Sequence, residues 1–289
     1  MENLKAIKNR IKTVDSIIKA TNAMKMVSSI KLTRVNNVNR FAKEGAKALF
    51  NMFSRAVDEI LFKQEFDETP WFCREDGATL LIILSTDQGF CGSFKQLILD
   101  EAQETVAQHP GAYVETFGKK AQHLLKINPD LQVVRDIPSR YDISAFAAML
   151  SRLVWEYVRG CPIKEILVVS GEFKNVVVQK AQCQKIFTAR AGLDFHKAAT
   201  SQYTEIEGSQ LGVVGFADEV FKAYLSKLFT GIVTGHLLSE LSARVMAMDN
   251  SVRNARGMFD KLSALYNRVR QAKITQELTE IVSSIECVQ

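Results

Sequence analysis

Residues 241–269 read LSARVMAMDNSVRNARGMFDKLSALYNRV, and the spacing of the apolar side chains in that stretch decides the fold. Leu241, Val245, Met248, Val252, Ala255, Phe259, Leu262, Tyr266 and Val269 recur in strict steps of four and three. Four heptads of this kind predict a coiled-coil seam, a stripe that needs a second helix laid against it. No proline follows Pro162 and no glycine follows Gly257, so nothing interrupts the helix. After Val269 the phase breaks, and it resumes at Ile274, Leu278, Ile281, Ile285 and Val288. A C-terminal helix over 216–289 is predicted, roughly 105 Å long at 1.5 Å per residue.

The partner is found at the other end of the chain. Between Met1 and Pro70 there is no proline and one glycine, Gly45. Leu4, Ile7, Ile11, Val14 and Ile18 alternate in steps of three and four, the helical stripe. The stripe resumes, in what reads as a shifted phase, at Leu32, Val35, Ala42, Ala46, Leu49, Phe53, Val57 and Ile60. Between the two lies the small, sulfur-rich stretch Thr21–Ser29. The spacing predicts one helix over 1–62, about 90 Å long.

The middle changes period. Ala78–Ser85 is an unbroken apolar run ended by Asp87 and Gly89, the mark of a strand buried on both faces. Tyr113–Phe117 and Leu131–Ile137 read as shorter strands, and Phe146, Leu150, Leu153, Val154 and Tyr157 as a helix. Glu165–Ser170 and Val176–Phe187 read as two strands joined through Gly171–Asn175. Strands alternating with helices predict an α/β domain over 76–188 with a mainly parallel sheet, followed by a connector over 189–215. A compact globule of this length is about 50 Å across, half the length of either helix. The economical solution is a long antiparallel coiled coil of the two ends, carrying the α/β domain between them.

Composition narrows the function. Hydrophobic residues make up 47% and charged residues 24% of the 289, a globular balance. No run reaches the ~18 apolar residues of a membrane span, and Glu2, Lys5, Lys8, Arg10 and Lys12 break up any signal-peptide core. Cys73, Cys91, Cys161, Cys183 and Cys287 are odd in number and lack paired spacings, so they read as free thiols. Residues 1–43 hold ten Lys/Arg against Glu2 and Asp15, which predicts an acidic partner at that end. Without interleaved aromatics or a known motif, nucleic acid is not expected. Gly89 and Gly92 after the first strand lack the Gly-Lys-Ser/Thr of a P-loop and the third glycine of a dinucleotide fingerprint, so turn geometry explains them. His109, His123, His196 and His236 are scattered and read as non-catalytic, and no cofactor or metal is expected.

The chain resembles the gamma subunits of F-type ATP synthases from end to end. Similar segments are Ile7-x-x-Arg10-Ile11-x-x-Val14, Ala23-Met24-Lys25-Met26-Val27 and Leu84–Gly92. Further matches are Ala243-Arg244, Ala247–Asn250, Asn254-Ala255, Tyr266-Asn267 and Arg270–Ile281. Gln88, Phe90, Ser93, Lys95, Val245 and Ser251–Arg253 depart from the family pattern. The resemblance implies a Rossmann-like α/β domain on the coiled coil, in a rotating central stalk that couples proton flow to ATP synthesis on other subunits, with no active site of its own. It implies as partners an alpha3-beta3 hexamer, an epsilon subunit and a ring of c subunits. Membrane contact is then only indirect, through that ring, on the cytoplasmic face of a bacterial inner membrane or the matrix face of an organelle. Met24, Lys25, Arg244, Arg270, Gln271 and Thr275 match positions that meet the hexamer. Ile281, Ile285 and Val288 carry an apolar stripe past any partner helix, for which the resemblance supplies a sleeve at the top of the hexamer and fraying is the alternative. Ser284–Cys287 departs from the family's Gly/Ala-rich ending. Plain packing for Met24 and a solvated helix face for the charged residues remain the alternatives.

Overall fold

A seam demands a partner, and the computed structural model, which describes residues 4–63, 77–121, 133–135, 142–188 and 212–286, supplies one. In chain order the elements are α1 (Leu4–Lys63), β1 (Ala78–Leu84), α2 (Phe94–Gln108), β2 (Tyr113–Phe117), a 3-10 turn (Lys119–Ala121), β3 (Val133–Arg135), α3 (Ile143–Gly160), β4 (Ile163–Phe173), β5 (Gln179–Thr188) and α4 (Gly212–Glu286). Residues 189–211 of the predicted connector lie outside the described residues, as does most of the predicted strand 131–137. The chain divides into two compact units: Met1–Ser29 with Arg244–Gln289, and Ile30–Ala243. Both long helices contribute a stretch to each.

The larger unit is built on a five-stranded sheet of order β3-β2-β1-β4-β5. All neighbours are parallel except β4 and β5. The unbroken apolar run of β1 is explained by burial on both faces. Leu80, Ile82 and Leu84, with Ile166 and Val168, meet α3 together with Phe53 and Val57 of α1 and Phe221 and Phe229 of α4. Leu81, Ile83, Leu167 and Val169 meet Phe94, Ile98 and Ala102 of α2. The start of α3 is fixed by Asp142, whose carboxylate accepts the Ala145 N–H at 3.0 Å, a standard N-cap. Within this unit the long helices run antiparallel: Val35 clusters with Leu238 and Leu241, the Thr234 hydroxyl donates to Asn39 Oδ1 at 2.9 Å, and the rings of Phe53 and Phe221 lie 4.9 Å apart.

Two readings of the sequence need correction. The stripe of α1 does not shift phase. Its buried and half-buried positions run 4, 7, 11, 14, 18, 21, 25, 28, 32, 35, 39 and 42 without a break. Thr21, Lys25, Ser28 and Asn39 hold seam positions that a search for apolar residues passes over. The second correction is the hairpin. β4 continues through Gly171 to Phe173, and the turn lies further on, where Asn175 Oδ1 accepts the N–H groups of Val177 and Val178. Gly171 is therefore a strand residue, and its lack of a side chain serves close packing: a Cβ there would lie 2.5 Å from Cζ of Phe94 and 2.9 Å from Cβ of Ser239.

Candidate functional site

The smaller unit contains helical stretches of α1 and α4, and each covers the other's apolar stripe. On α4, Met248 and Val252 are buried, while Val245, Ala255, Phe259, Leu262, Tyr266 and Val269 are half-buried. Ile7 and Val14 of α1 are buried, as are Thr21 and Ser28. The Thr21 hydroxyl tolerates that position because it donates to the Ile17 carbonyl at 2.7 Å.

Lys25 occupies a seam position of the same unit. Its ammonium is bound by the carboxylate of Asp249, which also takes Arg253 from one turn along α4. The hydrogen bonds from Lys25 and then Arg253 hold the Asp249 carboxyl below the usual aspartate range. Periodicity alone does not name Asp249 as Lys25's partner, nor Arg253 as the second cation on that carboxylate. The usable signal is Lys25 itself, since a lysine in unbroken seam phase calls for a carboxylate on the facing helix.

The other predicted contact residues separate into two kinds. Met24, beside Lys25, turns outward and is 45% exposed. Arg244 is only 7% exposed and engaged with other groups, so it is not a solvated helix-face arginine. Arg270, Gln271, Thr275 and Ile281 lie in a stretch, residues 270–283, in which every side chain is exposed. Ile274, Leu278 and Val282 are large apolar side chains in that stretch, all about half exposed or more. The side chain of Ile285 lies outside the described residues. Thr275 returns its hydroxyl to the Gln271 carbonyl at 3.0 Å.

In the larger unit, the C-terminal ends of β1 and β4 form the place where open α/β sheets usually receive ligands, the point where strand order reverses. Here the chain fills it with its own groups. Gly171 of β4 is covered by the Phe94 ring and by Ser239 and His236 of α4. The loop after β1 is held by backbone contacts: Asp87 Oδ1 accepts the Lys119 N–H at 2.9 Å, and the Thr86 carbonyl accepts the Lys120 N–H at 3.0 Å. The turn needs Gly118, whose φ is +101° and whose Cβ would press 2.6 Å from the Ser85 carbonyl oxygen. Among the described residues no three His, Cys, Asp or Glu gather as a metal site, and no helix is long and apolar enough to cross a membrane.

Comparison with known proteins agrees along the whole chain. A family model described as ATP synthase matches residues 3–288. The ATP synthase gamma chain of Fuscovulum blasticum is 31% identical over 307 residues, with 100% of each chain covered. That of Geobacter sp. (strain M21) is 30% identical over 297 residues, again with 100% of each covered. Among solved structures, a chain of the Euglena gracilis mitochondrial ATP synthase OSCP/F1/c-ring assembly in rotational state 3 superposes with a TM-score of 0.67 at 16% identity, covering 99% of this chain and 94% of that one. A chain of the Tetrahymena thermophila mitochondrial ATP synthase central stalk and c-ring gives 0.60 at 20% identity, covering 80% and 98%.

Proposed function

This chain belongs to the ATP synthase gamma-chain family, and from that premise we propose that it turns as a shaft, transmitting torque between transmembrane proton flow and nucleotide chemistry on other subunits. In this reading the two long helices enter an alpha3-beta3 hexamer, while the sheet unit meets an epsilon subunit and the ring of c subunits. The nucleotide steps are assigned to the beta subunits. The chain reaches the membrane only through that ring, on the cytoplasmic face of a bacterial inner membrane or the matrix face of an organelle. The observation that carries the proposal is the end of α4: one uninterrupted helix passes from a covered seam into a stretch, 270–283, with every side chain outside. Exposed Ile274, Leu278 and Val282 suit an apolar sleeve on a partner. Rotation selects different hexamer states only through unequal contact energies, and an asymmetric rod provides such inequality.

Met24, Arg270, Gln271, Thr275, Ile281 and Ile285 are assigned to the contact surface. Arg244, which is buried, and Lys25, which is bound by Asp249 although its side chain is 40% exposed, are assigned to positioning it. Affinity purification of the tagged chain from its own host tests the main proposal: an ATP-hydrolysing alpha–beta assembly is expected with it, and its absence refutes the shaft. A charge swap tests the role of Lys25. Lys25→Glu alone sets two carboxylates against each other and is expected to lower the melting temperature and uncouple ATP-driven proton pumping in the reconstituted complex. Adding Asp249→Lys is expected to restore both. A double variant that regains stability while pumping stays uncoupled would mean that the Lys25 charge itself meets the hexamer.

A further inference from the structure

His236 lies on α4 inside the larger unit, 4% exposed, and the mechanism above makes no use of it. Its Nδ1 accepts the Gly171 N–H of β4 at 3.1 Å, so this nitrogen carries no proton. The single ring proton is therefore on Nε2, which has no partner at hydrogen-bonding distance among the described residues, while the Ser85 backbone lies near the ring. The ring is thus held in one tautomer by a backbone donor 65 residues away.

We propose that His236 is an acid-operated clasp between α4 and the C-terminal edge of the sheet, closed while the ring is neutral and opened when it takes a second proton. Protonation would turn Nδ1 from acceptor to donor, facing the Gly171 N–H donor head on. It would also place a cation where burial leaves little room for water. The groups around the ring are few. From β4 it meets the Gly171 N–H, from α2 the Phe94 ring with centroids 5.6 Å apart, from the loop after β1 the Ser85 backbone and the Asp87 carboxylate, and from α4 itself the Glu240 carboxylate. The two carboxylates favour the cation. Burial opposes it more strongly and holds the ring below the ordinary histidine value of 6.5.

The sign follows. The folded state prefers the neutral ring, so the clasp contributes fully above pH 6.5 and progressively less as pH falls below that value. One linked proton changes the opening equilibrium by up to about tenfold per pH unit. In the shaft reading this junction joins the sheet to the long helix, and acid would soften it; the clasp itself does not depend on that reading.

The test is amide hydrogen exchange at Gly171 in the full-length chain between pH 7.5 and 5, corrected for the intrinsic pH dependence of exchange. Protection is expected to fall by up to tenfold per pH unit below 6.5, and His236→Gln is expected to abolish that slope, while His109→Gln leaves it intact. Should His236→Gln not fold, nitrogen-15 chemical shifts of the wild-type ring decide the matter. A neutral ring protonated at Nε2 at pH 7 supports the clasp. A ring protonated at Nδ1 or cationic at pH 7, or Gly171 protection that ignores pH, overturns it.

Discussion

Gly171→Val is expected to destabilise the sheet unit by at least about 3 kcal/mol, the upper range for overpacking a core. The reason is the absence of any direction in which the new atoms can go. An ideal Cβ at 171 lies 2.5 Å from Cζ and 2.8 Å from Cε2 of Phe94, and 2.9 Å from Cβ of Ser239. Phe94 and Ser239 are both buried. Phe94 packs with Leu81, Ile83 and Ile98 on the α2 side, so its ring cannot swing out without opening that cluster. The Ser239 Cβ is fixed by the backbone of α4, and moving that helix would also strain the bond from Gly171 N–H to His236. Thermal unfolding of the full chain is the measurement, with an expected fall of roughly 6 °C or more at 2–4 °C per kcal/mol. Gly171→Ala is expected to lie between, and Phe94→Leu to return part of its loss. A valine variant melting with the wild type would remove the close approach of β4, α2 and α4 from the fold.

Much of this was legible because hydrophobic periodicity is a local property. On α4 the predicted seam from Leu241 to Val269 coincides with the covered face, and the break after Val269 with the point where every side chain becomes exposed. β1 was legible for the same reason, since burial on both faces demands an unbroken apolar run. α1 shows the limit. Its seam phase continues through Thr21, Lys25, Ser28 and Asn39, and a rule that expects apolar residues there infers a shift. Each of Thr21, Lys25 and Asn39 is tolerated because a specific partner takes its polar atom: Ile17 within the helix, Asp249 and Thr234 across it. Only the first of those partners is near in sequence.

The same argument separates the candidate residues. Met24, Arg270, Gln271, Thr275 and Ile281 were suggested by resemblance, with the phase break after Val269 pointing to Arg270 and Gln271 and the leftover apolar stripe to Ile281, and their exposure suits a contact surface. Arg244, for which a solvated helix face was the alternative because charge alone reads as solvated, is instead buried at 7% exposed. The pairing of Asp249 with Lys25, and of His236 with Gly171, could not be read from the sequence. Each depends on register between segments far apart in the chain, and no local signal carries a register.

That register can itself be tested at the aromatic contact between the long helices. Phe53→Ala is expected to cost about 3–5 kcal/mol, the range for deleting a buried phenylalanine whose cavity cannot collapse. Collapse is hindered on every side. The Phe53 ring meets Phe221 of α4 at 4.9 Å, and Phe221 in turn meets Trp155 of α3 at 6.1 Å and Tyr224 at 6.4 Å. Val57, one turn along α1, is fully buried in the same cluster. Phe221→Ala is expected to cost a similar amount, and the double variant less than the two losses together, by about 0.5–1.5 kcal/mol for the shared ring pair. Met52→Ala is the control: that side chain is the sequence neighbour of Phe53 but faces outward, and its loss should stay within about 0.5 kcal/mol. The measurement is chemical unfolding of all four variants. Strictly additive losses for the two phenylalanines would mean that the rings do not touch, and the antiparallel pairing that sets Phe53 opposite Phe221 would have to be abandoned.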